Sequence, residues 1–378
     1  MMDDVKQQAL EIHKKLKGKI EVTLKDQLDE PDKLRLYYTP GVGAVSSYIA
    51  EHPNEARNYT WLNNSVAVIS DGSAVLGLGN IGPLGALPVM EGKCMLFKQF
   101  AGIDAVPIVL DVHSADEIVA AVKAIAPSFG AINLEDIAAP ICFEVEERLK
   151  HELSTPLMHD DQHGTAVVVL AGLINAMKVV GKELKNCKVV LIGAGAAGVA
   201  VAKLIHHYSG AQIIAVDSKG IIEPSREDLT PEKTLLAGFA NAIKPGTLTD
   251  AIKEADVFIG VSQPGLLTSE MVKTMAKDPI IFALANPTPE IFPDEAKQAG
   301  AAVVATGRSD FPNQVNNALA FPGIFRGALD NQVKNITEEH KVKTAETIAG
   351  FVQTPTADEI IPSIFAEGLT EAIAQVIQ

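Results

Sequence analysis

Aromatic residues supply only 5% of this 378-residue chain, and tryptophan occurs once. Its cores must therefore rest on aliphatic and alanine packing. Cysteine is scarce too: Cys94, Cys142 and Cys187 are odd in number, far apart and in no CxxC pair. That excludes a disulfide framework and points to a reducing, cytoplasmic compartment. Basic residues are in deficit, 32 Lys and Arg against 47 Asp and Glu, for a formal net charge of -15. Phosphate backbones and anionic membrane surfaces repel such a chain, so neither nucleic acid nor membrane is expected as a partner. The longest apolar run, residues 166–174, falls well short of the ~18 residues that span a bilayer, although mean hydropathy is +0.17. Residues 1–10 are polar and lack the apolar stretch of a secretory signal. No internal repeat or low-complexity tract is evident. Hydrophobic residues at 47% exclude disorder, and the length predicts two or three domains.

Val5, Ala9, Ile12 and Leu16 recur at helical spacing before Gly18, which predicts an amphipathic helix. From Ser65 onward short β-branched runs alternate with helical stretches, the pattern of an α/β protein with a largely parallel sheet. Four of these runs end on acids. Residues 66–70 lead into Asp71, 106–110 into Asp111, 131–134 into Glu135-Asp136, and 156–159 into Asp160-Asp161. Ligands of open α/β sheets bind beyond the carboxyl ends of strands, so these acids are placed to converge on one crevice. Asp71 and Asp111, taken singly, read as caps of the helices that follow. The two doublets read as a metal site, because adjacent carboxylates in a crevice need a compensating cation.

A second unit opens with an apolar helix over residues 165–180 and a strand over 188–192. The strand runs into Gly193-Ala194-Gly195-Ala196-Ala197-Gly198, then a helix through Tyr208 and a strand over 212–216 ending at Asp217. Strand, glycine turn, helix, strand and terminal acid in that order form the dinucleotide fingerprint. Gly193 permits the tight turn, Gly195 lets the backbone approach a pyrophosphate, and Gly198 lets the helix pack on its strand. Asp217 is placed for the adenosine ribose of NAD, whereas Ser218 and Lys219 suit the 2'-phosphate of NADP, so both cofactors stay open. Strands at 257–261, 280–284 and 302–305 complete a Rossmann-like, doubly wound sheet. Asn286, at a strand end before a proline, reads equally as turn or ligand contact, and Asn316-Asn317 is as ambiguous. Residues 358–378 predict an amphipathic helix with Ile361, Phe365, Ala372 and Val376 on one side, available to the first domain or to another subunit.

Taken together, several motifs resemble those of malic enzymes, in the right order and over nearly the whole chain. They are Tyr37-Tyr38-Thr39-Pro40-Gly41-Val42-Gly43, the stretch 70–80 from Ser70-Asp71-Gly72 to Gly79-Asn80, and Gly92-Lys93. Leu134-Glu135-Asp136, His159-Asp160-Asp161-Gln162-His163-Gly164-Thr165, Ala285-Asn286-Pro287 and Asn316-Asn317 complete the set. The compact length is similar to the small bacterial form. The resemblance implies oxidative decarboxylation of L-malate to pyruvate and CO2, with NAD or NADP reduced, Mg2+ or Mn2+ required, and a homodimer. It also implies an N-terminal catalytic domain over residues 1–155 and a nucleotide-binding domain over 156–378.

Residue by residue, the resemblance makes Lys93 the base for the C2 hydroxyl and Tyr38 the acid that protonates the enolate. Tyr37 is adjacent, but the register of Thr39-Pro40 selects Tyr38. Glu135, Asp136 and Asp161 become metal ligands, and Asp160 a neighbour that holds Lys93 or the ligands in place. Asn286 and Asn317 would hold malate carboxylate or the nicotinamide side. His159 and His163 raise zinc as an alternative, against which three carboxylates favour a harder ion. One departure is clear: the arginine that larger eukaryotic members carry in the Asp-Gly motif is Ala74 here. The extra length that carries effector sites in those members is absent, and their regulation is not transferred. The rival readings are an oxaloacetate decarboxylase or malolactic-type enzyme on the same scaffold, and a catalytically silent nucleotide-sensing module.

Overall fold

A computed structural model describes residues 2–240 and 244–378. The chain begins with an arm of four helices, α1 (Met2–Leu16), α2 (Pro31–Tyr37), α3 (Gly41–Glu51) and α4 (Ala56–Tyr59). The expected amphipathic helix is α1, but Val5, Ile12 and Leu16 on its apolar side are all exposed.

A four-stranded parallel sheet follows, built from β1 (Ser65–Ser70), β2 (Asp104–Val109), β3 (Ala131–Leu134) and β4 (Leu157–His159) in the order β2-β1-β3-β4. Helices α5 (Gly82–Ala101), α6 (Ala115–Ile125) and α7 (Ile141–Glu152) connect these strands and cover the sheet. β1 is buried at every position, as its unbroken apolar run requires in a sheet covered on both faces. β4 lies beyond the division expected at 155/156 yet pairs with β3, so that division runs just ahead of a strand the first sheet keeps.

Helix α8 (Asp160–Val180) starts five residues earlier than its apolar periodicity suggested, because the polar run Asp160–Gly164 forms its first turn. Asp160 and Asp161 there face the positive end of the helix dipole, which favours carboxylates. Among the described residues α8 alone is long and apolar enough to cross a membrane, and 72% of its apolar window is buried inside the fold. It is a core helix, apolar all round because it is covered all round.

The second sheet contains β5 (Lys188–Ile192), β6 (Gln212–Asp217), β7 (Gly220–Ile221), β8 (Val257–Gly260), β9 (Ile280–Ala283) and β10 (Val303–Thr306). Their order is β10-β9-β8-β5-β6-β7, parallel except for β7, which runs antiparallel to β6. Between them lie α9 (Ala196–Ser209), α10 (Pro231–Ala237), α11 (Leu248–Ile252), α12 (Ser269–Val272) and α13 (Pro293–Gln298). The strand order reverses at β5, between β6 and β8, and the glycine loop sits at that switch point.

Three helices close the chain: α14 (Phe321–Asp330), α15 (Glu338–Gly350) and α16 (Leu369–Val376). The single helix expected over 358–378 is a correction: only Leu369–Val376 is helical. Pro362 removes a backbone donor and Gly368 takes a left-handed φ of 80°, so the earlier part is turn. Phe365, expected on the apolar side, is exposed. The C-terminal helices do return to the first sheet. Phe321 and Phe325 meet the Phe97 ring of α5 edge-on, at 4.7 and 5.3 Å, and Arg326 Nη1 donates to Asn64 Oδ1 at 2.6 Å.

Candidate active site

Register places the acids. Ile69 pairs with Leu134 and Leu134 with His159, so Ser70, Glu135 and Asp160 leave three neighbouring strands side by side. The expectation that acids at strand ends converge thus holds for β3 and β4. It fails for Asp111, which is exposed, and neither Asp71 nor Asp111 caps a helix: Ile81 and Ser114 precede α5 and α6. Asp71 instead closes a turn, its Oδ1 accepting from Ser73 N at 3.0 Å and Ser73 Oγ at 2.6 Å.

Lys93, on α5, reaches this cluster from the side. Its Nζ donates to Asp160 Oδ2 at 2.6 Å, lies 2.9 Å from Glu135 Oε1, and sits 4.3 Å from the centre of the Phe321 ring. Lys93 is 7% exposed and Asp160 fully buried. Asn133 Nδ2 donates to Glu135 Oε2 at 2.8 Å, and the Asp136 amide donates to Asp161 Oδ2 at 2.7 Å from a left-handed φ of 54°. Asn317 Nδ2 donates to Asp160 Oδ2 at 2.5 Å, whereas Asn316 is spent accepting from the Ala318 amide. That separates the two asparagines, and Asn317 faces the site. Gly164 permits the approach: a Cβ there would stand 1.9 Å from Asp160 Oδ1 and 3.1 Å from Asn317 Cβ.

Four carboxylates, those of Glu135, Asp136, Asp160 and Asp161, thus share one ammonium. Burial alone would lower the Lys93 pKa, but Asp160 and Glu135 hold it well above the ordinary lysine value. Burial raises the acids: Asp160 to about 6, and Asp136 and Asp161, which also repel each other, well above the carboxylate range. Ligand oxygens of Glu135, Asp136 and Asp161 lie within 4.8 Å of one another, and buried Asp136 Oδ2 has no hydrogen-bond partner. This all-oxygen, over-charged set fits a hard divalent cation. Neither histidine belongs to it. His163 Nε2 lies 2.9 Å from Glu146 Oε2 and its Nδ1 3.1 Å from Lys341 Nζ; His159 stands 3.6 Å from Asp161 Oδ2.

The glycine turn follows β5 as read from the sequence. Gly193 has φ 114°, and a Cβ on it would meet the Val261 carbonyl at 2.7 Å. A Cβ on Gly198 would meet the Gly193 carbonyl at 1.8 Å. Gly195 caps α9, with Ala196 and Ala197 opening that helix and Ala194 before it in the turn. Asp217 ends β6 but is not free: it accepts from Arg226 Nη1 and Nη2, both at 2.9 Å, from Lys233 Nζ at 2.8 Å and from the Lys219 amide at 2.9 Å. Against burial, Arg226 and Lys233 hold its carboxyl down at about 2. Asp228 pairs with both Arg226 and Lys219 at 2.8 Å. Ser218 lies in the following turn. Asn286 is half-buried after β9, and a Cβ on Gly77 would meet its carbonyl at 3.1 Å, so the Asp-Gly loop touches the second sheet's loop across the cleft. Ala74 adjoins the acids through its backbone, its amide donating to the Asp136 carbonyl at 2.9 Å.

Tyr38 stands apart. It follows α2 directly, is 67% exposed, and its hydroxyl has no hydrogen-bond partner among the described residues, whereas the Tyr37 hydroxyl donates to Asp26 Oδ2 at 2.7 Å. Sequence reasoning missed Asn133, Phe321, Arg226 and Lys233. The alternation of Asn133 with Glu135 on β3 was a usable signal; the other three come from elements that only the tertiary fold brings close.

Comparison with known proteins gives one answer. A family profile described as "Malic enzyme, N-terminal domain" matches residues 15–150, and one described as "Malic enzyme, NAD binding domain" matches residues 162–377. The chain is 54% identical over 377 residues to a bifunctional malic/malolactic enzyme of Bacillus subtilis, covering 99% of this chain and 92% of that protein. An NADP-dependent malic enzyme of Halomonas elongata is 46% identical over 365 residues, covering 96% and 86%. The crystal structure of an NAD-dependent malic enzyme from Thermotoga maritima superposes with TM-score 0.95 at 47% identity, covering 98% of each chain.

Proposed function

This chain belongs to the malic enzyme family, whose reaction is the NAD- or NADP-dependent oxidative decarboxylation of malate, and we propose that Lys93, Tyr38 and the acidic cluster perform it here. The observation that carries this assignment is buried Lys93, clamped between Asp160 and Glu135 beside three converging carboxylates.

Lys93 rests as an ammonium, so it must lose a proton before it can accept one from the C2 hydroxyl. Asp160 Oδ2, at 2.6 Å, is the nearest acceptor for that proton. Neutral Lys93 then takes the proton of the C2 hydroxyl; the nicotinamide, when bound, would supply the hydride acceptor. Breaking the C3–C4 bond releases CO2 and leaves its electron pair in an enolate, which Tyr38 protonates at C3. Asn317 and Asn286 orient the substrate carboxylate and the nicotinamide side by amide hydrogen bonds. Glu135, Asp136 and Asp161 would hold Mg2+ or Mn2+, which would supply a Lewis acid for the C2 oxygen.

Of the two cofactors the surroundings of Asp217 favour NADP. Asp217 and Asp228 carry two negative charges against three positive ones on Lys219, Arg226 and Lys233. Arg226 and Lys233 converge on the end of β6, where guanidinium and ammonium groups suit a 2'-phosphate. Lactate release is a second reading, prompted by the bifunctional name of the Bacillus subtilis relative. The three cysteines are free thiols, consistent with the cytoplasm. Initial rates with malate, Mn2+ and each cofactor test the assignment: reduced cofactor formed together with pyruvate supports it, and no reduction with either cofactor overturns it.

A further inference from the structure

Three buried ionisable side chains behind the acidic doublet take no part in the proposed reaction: Glu146 on α7, His163 on α8 and Lys341 on α15, at 6, 8 and 2% exposure. Burying such groups is costly unless each is paired and hydrogen-bonded, and these three pair with one another. Glu146 Oε1 accepts from the His159 amide at 3.0 Å and lies 2.8 Å from Lys150 Nζ. Its Oε2 accepts from Gln162 Nε2 at 3.3 Å and lies 2.9 Å from His163 Nε2. One carboxylate thus grips the residue before Asp160-Asp161 and both residues after it.

The far side of the imidazole is held as well. Lys341 Nζ lies 3.1 Å from His163 Nδ1 and donates to Glu338 Oε1 at 2.5 Å. An ammonium has donors only, so Nδ1 accepts and the ring proton sits on Nε2, where it is donated to Glu146. From Glu146 through His163 to Lys341, these contacts join α7 to the first turn of α8 and on to α15, which packs against α8.

That first turn needs a hold. Its amides have no carbonyl partner inside the helix. It carries Asp160, which meets Lys93 at 2.6 Å, and Asp161, whose ligand oxygen lies within 4.8 Å of those of Glu135 and Asp136. Side chains that must meet to within about 0.5 Å keep that geometry only when a surrounding layer fixes the backbone that bears them.

We propose that Glu146, braced by His163 and Lys341, is a positioning residue of the acidic site: it fixes the first turn of α8 and thereby sets Asp160 against Lys93 and Asp161 toward the cation. This rests on the reading of Glu135, Asp136 and Asp161 as a cation site. The glycine turn and Asp217, at the ends of β5 and β6, lie outside this line of contacts.

Calorimetric titration of Mn2+ into metal-free protein tests it, on wild type, His163→Leu and His163→Gln, each shown to be folded by circular dichroism. Leucine fills the space of the imidazole with neither donor nor acceptor, whereas glutamine restores a donor for Glu146 and an acceptor for Lys341. His163→Leu is expected to lose about 10- to 100-fold in Mn2+ affinity, and His163→Gln to recover most of it. At saturating Mn2+, kcat should fall in the same order while KM for the dinucleotide holds. Wild-type Mn2+ affinity in His163→Leu overturns the proposal. So does an equal loss in both variants, which would leave only the packing of a ring. Lys341→Met, which removes the ammonium and keeps the stem, carries the test should His163→Leu fail to fold, and unchanged affinity there overturns the proposal too. A wild-type protein that binds no Mn2+ is a distinguishable failure, that of the cation site itself, and the proposal falls with it.

Discussion

Lys93 Nζ lies 2.6 Å from Asp160 Oδ2, and the pair is almost wholly out of water. A buried pair of this kind is strongly disturbed when one partner is removed, since the other charge stays behind. The same contact serves as the proton path in the proposed reaction, so it couples the integrity of the site to its chemistry.

Lys93→Ala is expected to lower kcat by about 10^2- to 10^4-fold, the usual contribution of a positioned acid or base. Asp160→Asn is expected to lose about 10- to 100-fold, with a displaced pH profile because Lys93 loses a counter-charge and its acceptor. Steady-state kinetics across pH 6 to 9 check both; an unshifted profile for Asp160→Asn would leave Asp160 a purely structural role.

Tyr38→Phe is expected to block C3 protonation while sparing hydride transfer. The readout is the partition between cofactor reduction and pyruvate formed from oxaloacetate. Equal losses in every partial reaction would contradict the division of labour between Tyr38 and Lys93.

Asp161→Asn is expected to weaken Mn2+ binding by more than about tenfold in a direct titration. pH should act through the same group of acids. A carboxylate whose folded pKa is raised stabilises the protein fully below its unfolded value, near 3.8, and that contribution fades as pH climbs through the folded value, about 6 for Asp160. The contribution of these acids to the stability of metal-free protein should therefore fall as pH rises across this window, opposed by His159 and His163, whose pKa values burial lowers. Protons also compete with the cation for Asp136 and Asp161, so the rise in Tm caused by Mn2+ should be larger at pH 8 than at pH 5. Melting curves with and without Mn2+ decide it.

Gly164→Ala is a packing test. Alanine ordinarily gains about 0.5–1 kcal/mol over glycine inside a helix. Here its Cβ would stand 1.9 Å from Asp160 Oδ1, and overpacking of about 1–3 kcal/mol outweighs that gain. A lower Tm, with activity falling further than stability, is expected; a higher Tm would show that Asp160 and Asn317 yield freely.

Arg226→Ala and Lys233→Ala should each lower kcat/KM for NADP more than for NAD. Parallel rates with the two cofactors measure the ratio, and an unchanged ratio would detach this cluster from cofactor choice.

How much of this was legible in the sequence varies with the distance over which each signal acts. The acids after β3 and β4 were readable because strand ends are local and parallel register sets them side by side. Gly193 and Gly198 were readable because each answers a backbone requirement within one turn, whereas a Cβ on Gly195 would meet open space. Asp217 was found, but not its engagement, since Arg226 and Lys233 return to it from a loop and from α10. Phe321 reaches Lys93 only because α14 folds back across the first sheet, which no local pattern encodes. The broken helix at 358–368 was signalled by Pro362 and Gly368 and was overridden by apolar periodicity. The exposure of Tyr38 was illegible, because a motif gives a side chain's chemistry and not its surroundings.

The most direct test of the central claim is the stoichiometry of one reaction mixture: malate consumed against CO2, pyruvate and reduced cofactor formed, with Mn2+ present. Equal amounts of all three products, lost together in Lys93→Ala, are expected. CO2 released without cofactor reduction, or lactate as the dominant product, would contradict the account.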